Sequence, residues 1–428
     1  MKNSTTITEQ VWVIFCLILF LEGLLPLLLT GGSIPKYGQP YFKQSYLIQG
    51  VFLSIYLVTG FLIFKKWRLV LNVMLKEKYL IMLLCLTVLS CLWSLEPTLT
   101  LRKSIALWST TLFGIYFMIR FNLRQKLFLL GLSFGISAVL SMCFSLFLPK
   151  FGLMNFSYIG AWRGIFLHKN ILGEMMFLNI VLLSLMVALI KKRTQLLLIL
   201  VSFLISLINL ILSASKIALL LGSCSLYLLA FYWLWQKRYS IMWVLCIAAI
   251  ILSLGFAYQM KSYLFKSETI MRRPPEEAIM TVSGRTEMWS KLKMIISQRP
   301  ILGYGYAAFW NYREQNFSAL WGKTWKAANA HNGFLEIWLD LGLVGLTCLI
   351  FVLLINIKRL LFFFLSTLST ERLAPLILFV ALLILNLMES FLVKYNSMAW
   401  ILFIFLTLAP LEKQFHHQAA IPFPDTAS

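Results

Sequence analysis

Apolar runs about as long as a membrane-crossing helix follow one another along nearly the whole chain. A bilayer core needs roughly 20 apolar residues in a helix, and about twelve runs reach or approach that length. They cover residues 11–30, 46–64, 79–95, 104–121, 127–148, 171–190, 195–212, 216–235, 240–258, 334–357, 374–393 and 396–411. The pattern predicts an all-α polytopic membrane protein. The first run is expected to be an anchor, because residues 1–10 are polar and no small-x-small cleavage site follows.

One long polar stretch, residues 259–330, separates the ninth run from the tenth. Structureless stretches of this length are uncommon inside a compact fold and are usually lids, binding loops or disordered segments. Its large aromatic residues argue against disorder; they include Tyr306, Phe309, Trp310, Trp321 and Trp325. Apolar residues at helical spacing between Arg285 and Gln298 predict a short amphipathic helix. That helix either lies on the membrane surface or covers the rest of the protein.

Four regions follow from this pattern. Residues 1–258 are predicted to hold spans one to nine, residues 259–330 a large external loop with short amphipathic helices, and residues 331–411 spans ten to twelve. The tail, residues 412–428, is polar, contains two prolines and is predicted to be a disordered cytoplasmic segment.

The composition agrees with a membrane protein and indicates its orientation. Only 13% of the 428 residues are charged, against about 25% in soluble domains. The net charge of +22 does not indicate nucleic-acid binding, because the basic residues are dispersed among many loops. With the N-terminus inside, inner loops hold sixteen lysines and arginines, and the short outer loops before the long segment hold eight. This bias places the long loop outside. The seven cysteines show no metal-ligand spacing.

Ionisable residues at the span ends gather on the predicted outer side. Charged groups inside a membrane are costly and usually functional. The outer set comprises Glu174, Lys216, Glu336, Asp340 and Glu389, whereas Glu22 lies deeper. The carboxylates of this set were not used to assign the orientation, so their convergence predicts a polar cavity open to the outer face.

His331, Arg163 and Arg285 are the candidate chemical groups of this cavity. A near-neutral imidazole suits general-base work, and guanidinium groups match phosphate oxygens. A base beside a cationic clamp suits transfer from a phosphate-linked donor. From the residues alone, simpler alternatives stay open: His331 as a cap, the arginines as lipid-headgroup contacts, and the tryptophans as interfacial anchors rather than sugar platforms.

Several short motifs occur in a fixed order between about residues 160 and 395. They are Arg163-Gly164-Ile165-Phe166-Leu167-His168-Lys169-Asn170, Ser213-Ala214-Ser215-Lys216, Gly284-Arg285 with Trp289, Pro300-Ile301-Leu302-Gly303-Tyr304-Gly305, and His331-Asn332-Gly333-Phe334-Leu335-Glu336, followed by Gly342 and Gly345. In this order, with a long loop after the ninth run, the chain resembles the O-antigen ligase and polymerase superfamily of bacterial envelope glycosyltransferases.

The resemblance implies a reaction and a location. The donor would be a glycan on undecaprenyl diphosphate, and the acceptor a hydroxyl of another glycan, of lipid A-core or of a protein. Transfer would need no metal or cofactor and would invert the anomeric centre. The active site would face the periplasm from the bacterial inner membrane. A transporter or flippase for lipid-linked glycans is the alternative, although the paired broken helices of many transporters are not evident.

The resemblance also assigns roles to individual residues. Arg163 and Arg285 would bind the diphosphate, and His331 would activate the acceptor hydroxyl. The family usually has arginine where this chain has Lys216, which still offers a point charge to a phosphate. The other predicted substrate-binding residues are Lys169, His168 and Glu389.

Overall fold

The computed structural model describes residues 6–32, 45–64, 66–155, 158–190, 192–269, 282–311 and 329–412, with backbone alone for 261–269 and 282–284. Over these ranges the fold is helical, and an isolated antiparallel bridge joins Leu153 to Trp162. The predicted sugar platforms Trp321 and Trp325 lie outside the described residues, as does the predicted tail apart from Glu412.

The helices are numbered in chain order. They are α1 Ile7–Phe20, α2 Leu24–Leu29, α3 Tyr46–Phe64, α4 Trp67–Lys76, α5 Lys78–Leu89, α6 Pro97–Arg120, α7 Leu123–Phe147, α8 Pro149–Gly152, α9 Lys169–Met186, α10 Arg193–Leu212, α11 Lys216–Trp235, α12 Tyr239–Thr269, α13 Val282–Ile296, α14 Gly333–Leu365, α15 Thr370–Met388 and α16 Met398–Leu408. Short 3₁₀ turns follow three of them, at Ser90–Leu92, Val187–Leu189 and Ala409–Leu411.

The polytopic helical fold is confirmed. Within the described ranges, eight helices are long and apolar enough to cross a membrane; they are α3, α7, α9, α10, α11, α12, α14 and α15. The remaining predicted runs correspond to α6 and to shorter apolar helices, Ile7–Phe20, Lys78–Leu92 and Met398–Leu411. The count of twelve spans stays a prediction, as do the boundaries of the four regions.

The prediction of one continuous helix over residues 11–30 is wrong. Helix α1 ends at Phe20 and α2 begins at Leu24. Between them, Glu22 adopts a positive φ of 56° and accepts a hydrogen bond of 2.7 Å from Lys394 Nζ. A carboxylate among apolar residues needs a cationic partner. The break in the helix allows Glu22 to reach one.

The eleventh run is also shorter than predicted, because α15 ends at Met388 rather than at residue 393. The side-chain oxygen Oδ1 of Asn386 accepts the backbone N–H groups of Phe391 and Leu392 at 3.1 and 2.9 Å. A side chain that binds the backbone in this way competes with further helical hydrogen bonds. Glu389 therefore lies just beyond the helix, in an irregular connection to α16.

Helix α14 is broken at Gly342, which has φ 66° and ψ −166°. The freed backbone groups pair with the segment after α13: Leu343 N donates to Pro300 O at 2.8 Å, and Tyr304 N donates to Leu339 O at 3.0 Å. A Cβ atom on Gly342 would collide with the Ile301 carbonyl. Glycine is needed here because this conformation is essentially closed to other residues. The described segment after α13 is thereby fixed to α14.

Contacts between loops follow the predicted alternation of spans. One set joins loops predicted to lie outside: Gly32 with Arg163, Leu95 with Tyr304, and Arg285 with Glu389. Another set joins loops predicted to lie inside: Glu9 with Arg120, Glu77 with Arg359, and Arg124 with Glu371. The helices therefore pack with the two sets of loops at opposite ends.

Candidate functional site

Glu389 brings His331 and Arg285 together. Its Oε2 lies 2.6 Å from His331 Nδ1, and its Oε1 accepts a hydrogen bond of 2.8 Å from Arg285 Nη2. Arg285 Nη1 also donates to the Met388 carbonyl at 2.6 Å. The side chains of His331, Arg285 and Glu389 are only 13%, 5% and 14% exposed. Three residues distant in sequence thus form one buried, hydrogen-bonded cluster, which we call the histidine–carboxylate–arginine cluster.

The charges of this cluster fix the ionisation of Glu389. Burial alone would raise the pKa of Glu389, but the attractions of His331 and Arg285 outweigh it and hold the pKa below its ordinary value. An ionised carboxylate only accepts hydrogen bonds, so His331 Nδ1 is the donor in this contact. In the neutral imidazole the other nitrogen, Nε2, then carries a free lone pair.

The backbone around His331 is held in an unusual conformation. His331 has a positive φ of 46°, and its N–H donates to Asn329 Oδ1 at 2.8 Å. Asn332 then caps α14 by accepting from Phe334 N and Leu335 N. Non-glycine residues at positive φ are strained and often occur at functional sites. These contacts direct the imidazole toward Glu389.

Helix α13 positions two side chains from one face. Arg285 and Trp289 are one turn apart, and Trp289 Nε1 donates to the Ala330 carbonyl at 2.9 Å. The apolar residues on this same side of α13 are fully buried against Tyr304, Phe309 and Leu339; they include Met288, Leu292 and Ile295. The predicted amphipathic helix is confirmed. Among the described residues its apolar side packs against the rest of the protein, as expected for a covering helix.

Glu336 ties the segments on either side of His331 together. Its Oε2 accepts the Ala330 N–H at 2.6 Å and the Ser390 hydroxyl at 3.2 Å, and its Oε1 accepts Trp310 Nε1 at 2.6 Å. Because Ala330 precedes His331 and Ser390 follows Glu389, this carboxylate sets the spacing of the cluster. Trp310 takes part as a donor to Glu336.

Arg163 is fully buried and largely satisfied by backbone carbonyls. Its Nε donates to Phe151 O at 2.8 Å, and its Nη2 donates to Gly32 O at 2.6 Å and Lys150 O at 3.0 Å. Burial lowers the pKa of its guanidinium group. Nη1 has no hydrogen-bond partner among the described residues. Arg163 therefore fixes the loop after α8 and retains one group that could contact a ligand.

The remaining predicted residues lie at the starts of α9 and α11. Lys169 Nζ donates to Ala214 O at 2.8 Å and lies 4.3 Å from the centre of the Tyr158 ring. Lys216 is half-buried at the first position of α11 and interacts electrostatically with Lys169. His168 interacts electrostatically with Glu389, His331 and Arg163. Among these three residues, His168 thus interacts with the cluster through charge, and Lys216 interacts with Lys169. The direct hydrogen bonds within the cluster join His331, Glu389 and Arg285.

Sequence reasoning missed one charged residue near the site. Lys394 lies in the connection after α15, is 48% exposed, and interacts electrostatically with Glu389 while binding Glu22. The sequence could have indicated Lys394, because it lies only a few residues after Glu389 in the same predicted outer turn. Asn386 was missed as well, because nothing in the periodicity indicates that its amide shapes the turn.

The fold and the site together define a class: a polytopic helical membrane protein in which segments at one end of the helices assemble a histidine–carboxylate–arginine cluster. Residues 201–350 match the family model described as O-antigen ligase. An O-antigen ligase domain is therefore present in this segment. The matched range contains Lys216, Arg285 and His331, whereas Arg163, His168, Lys169 and Glu389 lie outside it.

The chain is 26% identical over 129 residues to an uncharacterized protein of Haemophilus influenzae. This similarity covers 30% of the chain and 31% of that protein's length.

Proposed function

We propose that the protein is a membrane glycosyltransferase that moves a glycan from an undecaprenyl-diphosphate carrier to an acceptor hydroxyl. The O-antigen ligase domain supports the class of enzyme. The observation that carries the proposal is the joint attachment of His331 and Arg285 to Glu389. It gives a base and a cation at one buried position, as transfer from a phosphate-linked donor requires.

His331 acts as the general base. With Nδ1 held as a donor to Glu389, its Nε2 accepts the proton of the acceptor hydroxyl as that oxygen attacks the anomeric carbon. The bond from the sugar to the diphosphate breaks, and the diphosphate leaves with the electron pair. Attack opposite the leaving group inverts the anomeric centre. Glu389 stabilises the imidazolium that forms, in the manner of other carboxylate–histidine pairs.

Arg285 and Arg163 stabilise the diphosphate as negative charge develops on it. Lys216 and Lys169 add positive charge at the neighbouring helix starts. A diphosphate leaves readily, so this scheme requires no strong general acid, and it invokes no metal or cofactor. The acceptor is another glycan, lipid A-core or a protein hydroxyl, and the site faces the periplasm from the bacterial inner membrane. The excess of basic residues in the opposite loops supports this orientation.

The test is transfer by purified protein. His331→Ala and Arg285→Ala are each incubated with an undecaprenyl-diphosphate oligosaccharide and candidate acceptors, and products are identified by mass spectrometry. We expect His331→Ala to lower the transfer rate about 10²–10⁴-fold and Arg285→Ala about 10²-fold or more.

Lys293→Ala is the matched control, because Lys293 is a cation on the exposed face of the same helix. It should retain the wild-type rate. Wild-type rates in both His331→Ala and Arg285→Ala would refute the proposal. Movement of labelled lipid-linked glycan between leaflets without any transfer product would favour a flippase instead.

A further inference from the structure

Three residues of the proposed site carry buried N–H groups that have no hydrogen-bond partner among the described residues. They are Arg163 Nη1, His168 Nε2 and Arg285 Nε. Buried polar groups are nearly always hydrogen-bonded, and leaving one unsatisfied costs about 1–3 kcal/mol. All three groups are donors, so the missing partner must offer acceptors.

His168 differs from the two arginines because its hydrogen-bonding state is fixed by the backbone. It precedes α9, and its Nδ1 accepts the N–H of Asn170 at 3.2 Å. A backbone N–H can only donate, so Nδ1 is unprotonated and the neutral ring carries its proton on Nε2. The residue is only 8% exposed. His168 therefore presents one N–H donor from a ring that is already anchored on its other side.

The charge state of His168 agrees with this description. Burial, assisted by the neighbouring charge of Lys169, lowers the pKa of His168 to about 3. The ring is consequently neutral at physiological pH. Its arrangement is the reverse of that of His331, whose Nδ1 donates to Glu389 and whose Nε2 can accept a proton.

We propose that His168 Nε2–H binds an oxygen of the donor's diphosphate, as a neutral donor that acts together with Arg163. This inference rests on the proposed function and gives His168, expected above to bind substrate, a specific donor atom and a specific ligand group. Ionised phosphate oxygens only accept hydrogen bonds, whereas a sugar hydroxyl would also need an acceptor. The electrostatic interactions of His168 with Arg163, His331 and Glu389 support a position of the ring near the cluster.

Two substitutions separate this role from the capping role. In His168→Asn, the amide oxygen can still accept the Asn170 N–H, since asparagine is a favoured N-cap residue, but the distal donor is lost. In His168→Gln, the amide nitrogen can reach the position of Nε2, whereas the cap is weakened. The two variants therefore remove the two functions of the imidazole one at a time.

The measurement is equilibrium binding of undecaprenyl diphosphate, without a glycan, to the purified full chain, together with thermal unfolding. We expect His168→Asn to unfold near the wild-type temperature and to bind about 10- to 100-fold more weakly, as for loss of one hydrogen bond to a charged group. His168→Gln should recover part of the lost affinity. Asn122→Ala, which removes the cap of α7, should lower the unfolding temperature and leave the affinity unchanged.

Wild-type affinity in folded His168→Asn would overturn this inference even if the wild-type enzyme transfers glycan. Weaker binding by His168→Gln than by His168→Asn would likewise show that the imidazole acts only as a cap. A wild-type protein that does not bind the lipid diphosphate and transfers no glycan would instead refute the proposed function.

Discussion

At the scale of single residues, Glu389 determines what its neighbours can do. Its two oxygens contact His331 and Arg285 separately, so one carboxylate sets both the proton position on the imidazole and the orientation of the guanidinium. His168, in contrast, has its proton position set by the N–H of Asn170. The Nε2 atoms of the two histidines thus have opposite hydrogen-bonding roles, because the partners of Nδ1 differ. Nε2 of His331 is an acceptor, whereas Nε2 of His168 is a donor.

Glu389→Gln should therefore reduce both stability and transfer. The neutral amide leaves the buried Arg285 without its countercharge, and removing one member of a buried ion pair costs about 3–5 kcal/mol. The amide also cannot accept from both His331 and Arg285 through two oxygens. We expect a lower unfolding temperature and a reduced transfer rate, measured on the same purified preparation.

The control for this substitution is Glu287→Gln on the same helix as Arg285. Glu287 forms an ion pair of 2.9 Å with Lys291 and is 62% exposed, and such pairs contribute about 0–1 kcal/mol. If Glu287→Gln and Glu389→Gln destabilise equally, the buried cluster does not have the energetic role assigned to it.

The stabilisation by Glu389 should also depend on pH. Because the pKa of Glu389 is lower in the folded protein than its ordinary value, its contribution is fully present above the unfolded value of about 4.3. It is lost as the pH falls through the folded value. The difference in unfolding temperature between wild type and Glu389→Gln should be constant near neutral pH and shrink below about pH 4. A difference that instead grows on acidification would contradict the ionised state of Glu389.

At the scale of helices, the site depends on where helices stop. Helix α15 ends one residue before Glu389, α14 begins two residues after His331, and α13 lies across both with Arg285 and Trp289. Gly333, the first residue of α14, is so close to the Asn386 side chain that a Cβ atom would collide with it. The proximity of two helix ends, rather than a feature within either helix, brings the histidine and the carboxylate together.

Much of this arrangement of helices was predictable from apolar periodicity, including α13 and its buried face. The local failures share a physical cause. Glu22 leaves its helix to reach Lys394, and residues after Met388 turn because Asn386 binds their backbone. The first failure depends on a partner that is distant in sequence, and the second on a side chain that competes with the helical hydrogen bonds. The apolar periodicity reveals neither. His331 and Arg285 were predicted as site residues, but their shared contact with Glu389 follows only from the fold.

Gly342→Ala should be strongly destabilising. The conformation at Gly342 is nearly inaccessible to alanine, and the added Cβ would collide with the Ile301 carbonyl. Strain of this kind costs about 1–3 kcal/mol, with a similar addition from overpacking. The measurement is the free energy or temperature of unfolding of the purified protein.

Gly60→Ala is the matched control. Gly60 lies within α3, and a Cβ atom there would meet nothing within 4 Å among the described residues. Alanine at such a position should be neutral or stabilising by up to about 1 kcal/mol. Equal stability of the two variants would show that the break in α14 is not fixed by the segment that follows α13.

At the scale of the whole molecule, the two ends of the helical bundle have different characters. The end against which α13 packs holds His331, Arg285, Arg163 and Glu389. The opposite end is joined by ion pairs such as the exposed Arg124 with Glu371 and the half-buried Arg359 with the buried Glu77. Among the short predicted loops, the excess of basic residues also lies at this opposite end. If basic loops stay in the cytoplasm, the proposed site opens to the periplasm, where a lipid-linked glycan and its acceptor would meet.

This orientation can be tested with single cysteines in a variant from which the seven native cysteines have been removed. Glu287→Cys lies on the exposed face of α13, and Arg124→Cys lies at the opposite end of the bundle on a side chain 62% exposed. A thiol reagent that cannot cross the inner membrane should label Glu287→Cys in cells with a permeabilised outer membrane. Arg124→Cys should be labelled only after the inner membrane is disrupted. The reverse pattern would place the histidine–carboxylate–arginine cluster on the cytoplasmic side. Labelling of both positions while the inner membrane is intact would refute the predicted alternation of the spans.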